Sequence, residues 1–183
     1  MQLPTKFNEM YEHHYPEKRF NLTLEFLKQH QAPPQSILDL GVENPFSKIM
    51  QEQGYDVTNT SGTDLDNDQT EIITSKAQIT TAFEIFEHLL SPYEVLKSIQ
   101  TPYLFASIPL KLWFAKAYQS KTDPRDRHFH EFEDWQFDWL LEKSGWKIVD
   151  HTKFTNPVNK IGIRPILRQF TPRYYLVYCE KAD

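Results

Sequence analysis

Three side chains capable of metal binding or acid–base chemistry lie close together in the middle of the sequence. Glu84, Glu87 and His88 stand at positions i, i+3 and i+4. On a helical turn this spacing places all three on one face, within reach of a single ion. Two carboxylates and one imidazole suit a divalent cation such as Mg²⁺, Mn²⁺ or Zn²⁺. The alternative is a structural role, in which these residues satisfy backbone groups at the start of a helix.

The order of apolar runs predicts the elements that position these side chains. Short apolar runs alternate with helical patterns, which is typical of an α/β sheet. Short connections and right-handed crossovers favour a Rossmann-like, doubly wound sheet, in which the last two strands pair antiparallel as a hairpin. The seven strand candidates are residues 36–40, 55–60, 71–74, 79–83, 103–108, 146–150 and 173–180.

Helix signals and connections complete the predicted domain. Asn44 and Pro45 predict a helix start, because asparagine caps free amides and proline suits the first helical position. A long aromatic and charged connection, residues 111–133, is of the kind that covers a site. We expect one domain over residues 1–183, with an N-terminal helical segment at 1–35 and the sheet core at 36–183.

Composition sets limits on the class of protein. The chain has 183 residues, of which 39% are hydrophobic and 25% charged, as in ordinary globular domains. No apolar run is long enough for a membrane span, and the first residues lack the apolar core of a secretory signal. One cysteine, Cys179, cannot form an intramolecular disulfide, so we expect a core residue in a cytoplasmic protein. A net charge of −5 makes nucleic acid an improbable partner.

Four segments in this order resemble the class I S-adenosylmethionine-dependent methyltransferases. They are Ile37-Leu38-Asp39-Leu40-Gly41, the run from Thr81 to His88, Phe105-Ala106-Ser107-Ile108-Pro109, and the late helix with the closing strand pair. The resemblance covers nearly the whole chain from residue 36. It implies a methyl-transferring enzyme that uses S-adenosylmethionine.

The resemblance also implies which residues bind the methionine end of the cofactor. Asp39, Gly41 and Glu43 occupy the family's loop after the first strand, and Phe83 forms the floor. The family's loop usually carries three glycines, whereas Glu43 and Pro45 stand about where the later two would be. A carboxylate at Glu43 faces the cofactor's positive charges in one interpretation and fills its pocket in the other.

The adenosine end departs from the family pattern as well. Ser61 stands where the family has an acidic residue that binds the ribose hydroxyls, and serine offers only a neutral hydroxyl there. The pair Asp64-Leu65 resembles the family's acidic-apolar pair that contacts adenine. Its early position indicates that the helix between the second and third strands has been shortened.

The Glu84-x-x-Glu87-His88 segment resembles a pattern in ubiquinone-pathway O-methyltransferases and small-RNA 2′-O-methyltransferases. In those families it binds a divalent metal beside the acceptor hydroxyls. The small-RNA enzymes add a histidine ahead of the late helix, and His130 is the matching position here. This implies a site of Glu84, Glu87, His88 and His130. Without a metal, His88 or His130 is a candidate general base.

Together these observations predict an S-adenosylmethionine-dependent methyltransferase acting on an oxygen or nitrogen of a small molecule. The alternative is a non-catalytic member that kept the sheet but lost the cofactor, as the residues at Glu43, Pro45 and Ser61 would allow. The sequence leaves the acceptor and the oligomeric state open.

Overall fold

Six strands form one mixed sheet in the computed structural model, which describes residues 17–156 and 161–182. The strand order is β2-β1-β3-β4-β6-β5. The first four of these in space run parallel, whereas β6 lies antiparallel between β4 and β5. The strands are β1 (Ser36–Asp39), β2 (Asp56–Asn59), β3 (Ile79–Phe83), β4 (Tyr103–Pro109), β5 (Trp146–Thr155) and β6 (Pro172–Lys181). The antiparallel C-terminal pair confirms that part of the prediction.

Six α-helices accompany these strands within the described ranges: the first precedes β1, and the other five lie in the connections between strands. They are α1 (Glu17–His30), α2 (Pro45–Glu52), α3 (Thr70–Thr74), α4 (Pro92–Ser98), α5 (Asp134–Lys143) and α6 (Ile163–Phe170). Single 3₁₀ turns lie at Phe86–His88 and Pro124–Asp126. Residues 1–16 of the predicted N-terminal segment lie outside the described residues. None of the described helices has the length and apolar character that crossing a bilayer requires.

The start of α2 forms as the sequence predicts. The Asn44 side chain accepts hydrogen bonds from the amides of Phe46 and Ser47, at 2.9 and 3.1 Å. The Ser47 hydroxyl accepts one from the Asn44 amide at 2.8 Å, which completes a reciprocal cap. Pro45 occupies the first helical position, where its missing amide hydrogen costs nothing. The helix direction is therefore fixed immediately after β1.

The prediction of a seventh strand at residues 71–74 is wrong, because this segment is the helix α3. The Asp68 carboxylate accepts a hydrogen bond from the Thr70 amide at 2.9 Å, which favours a helical turn. A single turn also buries Ile72 and leaves Ile73 half exposed. A strand would place these two neighbours on opposite faces of the sheet, which needs two apolar surfaces.

Because residues 71–74 form no strand, β2 is an edge strand of the sheet. Within the described residues β2 pairs only with β1, through a four-residue parallel register from Ser36–Asp56 to Asp39–Asn59. A cavity of about 480 Å³ opens beside this edge, between β1, β2 and α3.

The core has two parts. One apolar cluster contains Phe86, Phe137 and Trp146, with α4 and α5 as its main helices. The other contains Phe26 and Phe105, and it joins α1 and α2 to the sheet. Cys179 is fully buried in the first cluster, as predicted for a core residue.

The late hairpin is longer than predicted. The strand expected at residues 146–150 continues to Thr155, because Phe154 still pairs with Tyr174 of β6. The connection between β5 and β6 contains a helix, α6, with no buried side chain. Since Tyr174 pairs with Pro109 at the end of β4, this helix lies at the same sheet edge as the carboxyl ends of the parallel strands.

Candidate functional site

The candidate site lies at the carboxyl ends of β1, β3 and β4. In open α/β sheets, ligands bind outside these ends, where the connecting loops separate. The parallel register carries Asp39, Phe83 and Ser107 to this edge. Phe83 is half-buried and its ring meets Phe46 edge-on, with centroids 5.3 Å apart. The carboxyl edge therefore carries the polar side chains of Asp39 and Ser107 together with the aromatic ring of Phe83.

Asp39 is buried at this edge, where side chains from three neighbouring segments donate hydrogen bonds to it. Its carboxylate accepts hydrogen bonds from Thr81 Oγ1 at 2.6 Å, Asn59 Nδ2 at 3.0 Å and Asn44 Nδ2 at 3.2 Å. Burial raises the pKa of Asp39 to about 6, against the opposing effect of these three donors. One side chain thus joins the ends of β1, β2 and β3 to the loop before α2.

The loop after β1 turns at Gly41, whose φ of 113° lies in a region that side chains disfavour. Its amide donates to Thr60 Oγ1 at 2.8 Å, so the turn is held against the residue after β2. The Glu43 side chain is about half exposed and pairs with Lys48 of α2 at 3.1 Å. Pro45 is part of the helix start. Local contacts therefore account for both residues that replace the family's later glycines.

The loops after β1 and β2 touch each other. A Cβ added to Gly62 would lie 2.5 Å from Val42 Cγ1, so only glycine permits this approach. Val42 remains 43% exposed. The contact narrows the entrance between the two loops and leaves the Val42 side chain in solvent.

A carboxylate stands beside Ser61 that the sequence analysis did not identify. Glu71 Oε2 accepts a hydrogen bond from the Ser61 amide at 2.8 Å. Both residues are exposed, and Glu71 comes from α3, the helix that replaces the expected third strand. The predicted strand at 71–74 did not place Glu71 near Ser61. Only a predicted helix at these residues would have identified Glu71 as part of the site.

The structure places Asp64 and Leu65 in different environments. Asp64 is exposed and closes its own turn, accepting from the Asp66 amide at 3.0 Å and from Asn67 Nδ2 at 2.7 Å. Leu65 is buried in the core. The neighbouring Asp66 reaches across to α4, where its two oxygens accept from the Leu90 and Ser91 amides, each at 2.8 Å.

Glu84 is held apart from Glu87 and His88. Its backbone is left-handed, with φ of 58°, a costly conformation for a residue with a side chain. Oε1 accepts from Ser107 Oγ at 2.9 Å, and Oε2 lies 3.7 Å from an Arg19 nitrogen of α1. Burial raises the pKa of Glu84. Both carboxylate oxygens are thus engaged away from the histidines.

Glu87 is almost fully buried, at 1% exposure. Its carbonyl accepts hydrogen bonds from the Phe129 and His130 amides, which tie the long connection to this turn. Oε1 lies 3.7 Å from His88 Nε2, whereas Oε2 has no hydrogen-bond partner among the described residues. Burial, together with the nearby Glu84 charge, raises the pKa of Glu87 well above its usual range. Glu87 is therefore a buried acidic group with one oxygen that no described protein atom engages.

His128, rather than His130, completes a group with Glu87 and His88. One ligand atom from each of the three lies within 4.8 Å of the others. The two rings of His88 and His128 meet edge-on at 4.8 Å, and Arg127 O lies 3.0 Å from His88 Nδ1. Burial, with the neighbouring His88, lowers the pKa of His128.

His130 faces elsewhere. Its ring stacks on Phe132 with centroids 5.4 Å apart, and its buried Nε2 has no partner within the described residues. The segment between the two histidines is irregular, with a bend at Phe129, so their side chains take different directions. The sequence supplied two histidines at 128 and 130, and only their packing distinguishes them.

Residues 11–151, about three quarters of the chain, match a family model described as "Methyltransferase domain". None of the curated proteins matches the chain in sequence. Among solved structures, the chain is similar to the Burkholderia thailandensis 1,6-didemethyltoxoflavin-N1-methyltransferase with bound S-adenosylhomocysteine. The TM-score is 0.64 and the identity 14%, over 100% of this chain and 92% of that one.

Two further solved structures share the fold. A SAM-dependent methyltransferase from Archaeoglobus fulgidus has a TM-score of 0.59 and 14% identity, over 88% of this chain and 94% of that one. The magnesium protoporphyrin IX methyltransferase from Synechocystis has a TM-score of 0.56 and 9% identity, over 100% and 90%. At these identities the likeness shows the fold alone.

Proposed function

The chain belongs to the methyltransferase-domain family, and we propose that it transfers a methyl group from S-adenosylmethionine to an oxygen or nitrogen of a small molecule. The observation that carries the proposal is the Gly41 turn, positioned between Asp39 and the end of β2 at the carboxyl edge of the sheet. Two of the similar structures are named for small-molecule acceptors, a toxoflavin precursor and magnesium protoporphyrin.

The residues of this edge fit the cofactor. Gly41 has no side chain, so a ligand can approach its backbone closely. A Cβ at this position would lie 3.6 Å from Ile85 Cδ1, so Ile85 borders the space above the turn without filling it. Asp39 and the Gly41 turn are linked through Asn59, whose side-chain amide donates to both, and Phe83 ends the neighbouring strand β3. At the other end, Glu71 provides the carboxylate that Ser61 lacks, and we assign it to the ribose hydroxyls. Bound S-adenosylmethionine supplies an activated methyl group.

Glu87, His88 and His128 face the acceptor in this proposal. When an alcohol or amine is methylated, its proton must leave, and His88 Nε2 is placed to accept it because Nδ1 is occupied at Arg127. The buried Glu87 side chain lies beside that nitrogen, with Oε1 3.7 Å from it. Proximity and exclusion of water then contribute most of the rate.

A divalent cation is the second candidate for the same three residues. One carboxylate and two imidazoles suit Mn²⁺ or Zn²⁺ better than Mg²⁺, which prefers oxygen ligands. The unpartnered Glu87 oxygen supports this assignment. The ligand set is then Glu87, His88 and His128. We omit Glu84, whose oxygens contact Ser107 and Arg19.

The non-catalytic alternative depended on Glu43 and Pro45 filling the cofactor space and on Ser61 replacing the ribose-binding carboxylate, a place beside which Glu71 now stands. Glu43 instead pairs with Lys48, and Pro45 begins α2. These contacts favour the enzyme.

Binding of S-adenosylhomocysteine tests the proposal directly. A ligand that binds only the folded state raises the melting temperature by mass action. We expect a rise with S-adenosylhomocysteine and none with NAD⁺, which has a pyrophosphate that this glycine-poor loop cannot cradle. Absence of a shift at several millimolar S-adenosylhomocysteine would contradict the proposed cofactor.

A further inference from the structure

The helix α6 carries its apolar side chains on the outside of the molecule. Ile163, Ile166 and Phe170 are 79%, 55% and 78% exposed, and Ile161 just before the helix is fully exposed. At 100° per residue, Ile163, Ile166, Leu167 and Phe170 fall within one arc of about 100°. The apolar face of a surface helix normally packs against the core. In α6 most of this face points to solvent instead.

The hairpin that carries α6 has a charge opposite to that of the rest of the chain. Residues 151–179 contain five Lys or Arg and no Asp or Glu. The net charge of −5 therefore divides into +5 in this segment and −10 over the remaining residues. Arg164 and Arg168, one turn apart, adjoin the exposed apolar arc on α6. Lys153 is paired with Asp134, whereas no ion pair among the described residues engages Arg164 or Arg168, so these two arginines remain to attract an anionic partner.

An aromatic residue of the long connection lies beside the same helix. Trp113 is 74% exposed, and it lines a cavity of about 470 Å³ together with Thr171 and Pro172, which follow α6. Lys111 and Lys153 line this cavity too, and they pair with Glu133 and Asp134 of the same lining. Tryptophan is enriched at membrane–water interfaces, where its ring lies at the level of the headgroups.

We propose that α6 is an interfacial helix that places the active-site edge of the sheet on an anionic lipid bilayer. The apolar arc enters the boundary between headgroups and acyl chains, while the arginines remain among the headgroups. The apolar arc spans a single eight-residue helix, which is small beside the about 800 Å² that each partner of a stable protein interface commonly buries. A bilayer accepts protruding side chains without a matching shape.

Co-sedimentation of the full chain with vesicles tests this proposal. We expect binding to vesicles of phosphatidylglycerol mixed with phosphatidylcholine, and far weaker binding to phosphatidylcholine alone. The double variant Ile163→Asp/Phe170→Asp should lower the partition constant at least tenfold. Each of Arg164→Gln and Arg168→Gln should lower it about fivefold, as expected for one charge near an anionic surface.

The matched control is Trp139→Asp, which changes an apolar side chain of α5 that is 65% exposed. It should bind vesicles as the wild type does. Since the altered side chains are exposed, circular dichroism should show all variants folded. Failure of the wild type to bind, or equal binding by the double variant, overturns the proposal. So does a dimer in gel filtration that the double variant abolishes without any vesicle binding. The assay contains no cofactor or acceptor, so its outcome is independent of methyl transfer.

Discussion

The Glu71 carboxylate lies 2.8 Å from the Ser61 amide, although ten residues separate them in the chain. This contact supplies a negative charge at the end of β2, where the sequence itself offers only a serine. Glu71 belongs to α3. The segment predicted to be a third strand therefore forms a helix and places a carboxylate at the edge of the sheet.

Glu71→Gln should therefore weaken binding of S-adenosylhomocysteine about tenfold, because hydrogen bonds to a charged acceptor contribute roughly 1.5–3 kcal/mol. Isothermal titration calorimetry measures the effect. Glu94→Gln, an exposed carboxylate on α4, is the control and should bind as the wild type does. Equal affinity in Glu71→Gln would remove this residue from the ribose site.

His128 and His130 should differ in cation binding. If Glu87, His88 and His128 hold a cation, calorimetry with Mn²⁺ or Zn²⁺ should show uptake by the wild type, loss of uptake in His128→Gln, and retention in His130→Gln. The reason is that His128 lies with Glu87 and His88, whereas the His130 ring stacks on Phe132. Loss of uptake in His130→Gln instead of His128→Gln would make His130 the cation ligand. Absence of uptake by the wild type at millimolar ion would leave His88 as the proton acceptor.

Asp39 should make the ligand-free protein less stable as the pH rises. Its pKa is about 6 when folded and 3.8 in the unfolded reference, so the folded state holds the proton more tightly. The stabilisation is complete below pH 3.8 and is lost as the pH rises through about 6. Asp39→Asn should remove about 2–3 kcal/mol of this change. Urea unfolding at pH 4 and pH 7 measures it, and an identical pH difference in both proteins would contradict the assignment.

Asp66 should matter more to stability than Asp64. Asp66 accepts from two amides that precede α4, whereas Asp64 serves only its own turn. We expect Asp66→Ala to lower the free energy of unfolding by about 1–2 kcal/mol and Asp64→Ala by about 0.5 kcal/mol. Chemical denaturation of both variants gives the comparison. Equal losses would mean that the contact with α4 contributes nothing.

Much of the fold follows from local signals in the sequence. The Asn44-Pro45 start, the apolar strands and the late hairpin were predictable because capping, burial and pairing are set by nearby residues. The segment at 71–74 was not, since two adjacent isoleucines fit a strand or a helical turn. Only the packing of Ile72 decides between them.

The candidate site was predictable in its location and less so in its members. The carboxyl edge of the strands follows from topology, and it contains Asp39, Gly41, Glu84 and Glu87. The spacing of Glu84 and Glu87 assumed a continuous helical turn. The left-handed backbone at Glu84 breaks that turn and directs its carboxylate to Ser107 and Arg19.

The outer position of β2 has a consequence for behaviour at high concentration. Its outward amides and carbonyls lie along an unpaired margin within the described residues, which is where strands of separate molecules can join. The strand is only four residues long and begins with the exposed, charged Asp56. Brevity and charge are the usual protection against such intermolecular pairing, so replacing Asp56 with an aliphatic residue should promote aggregation.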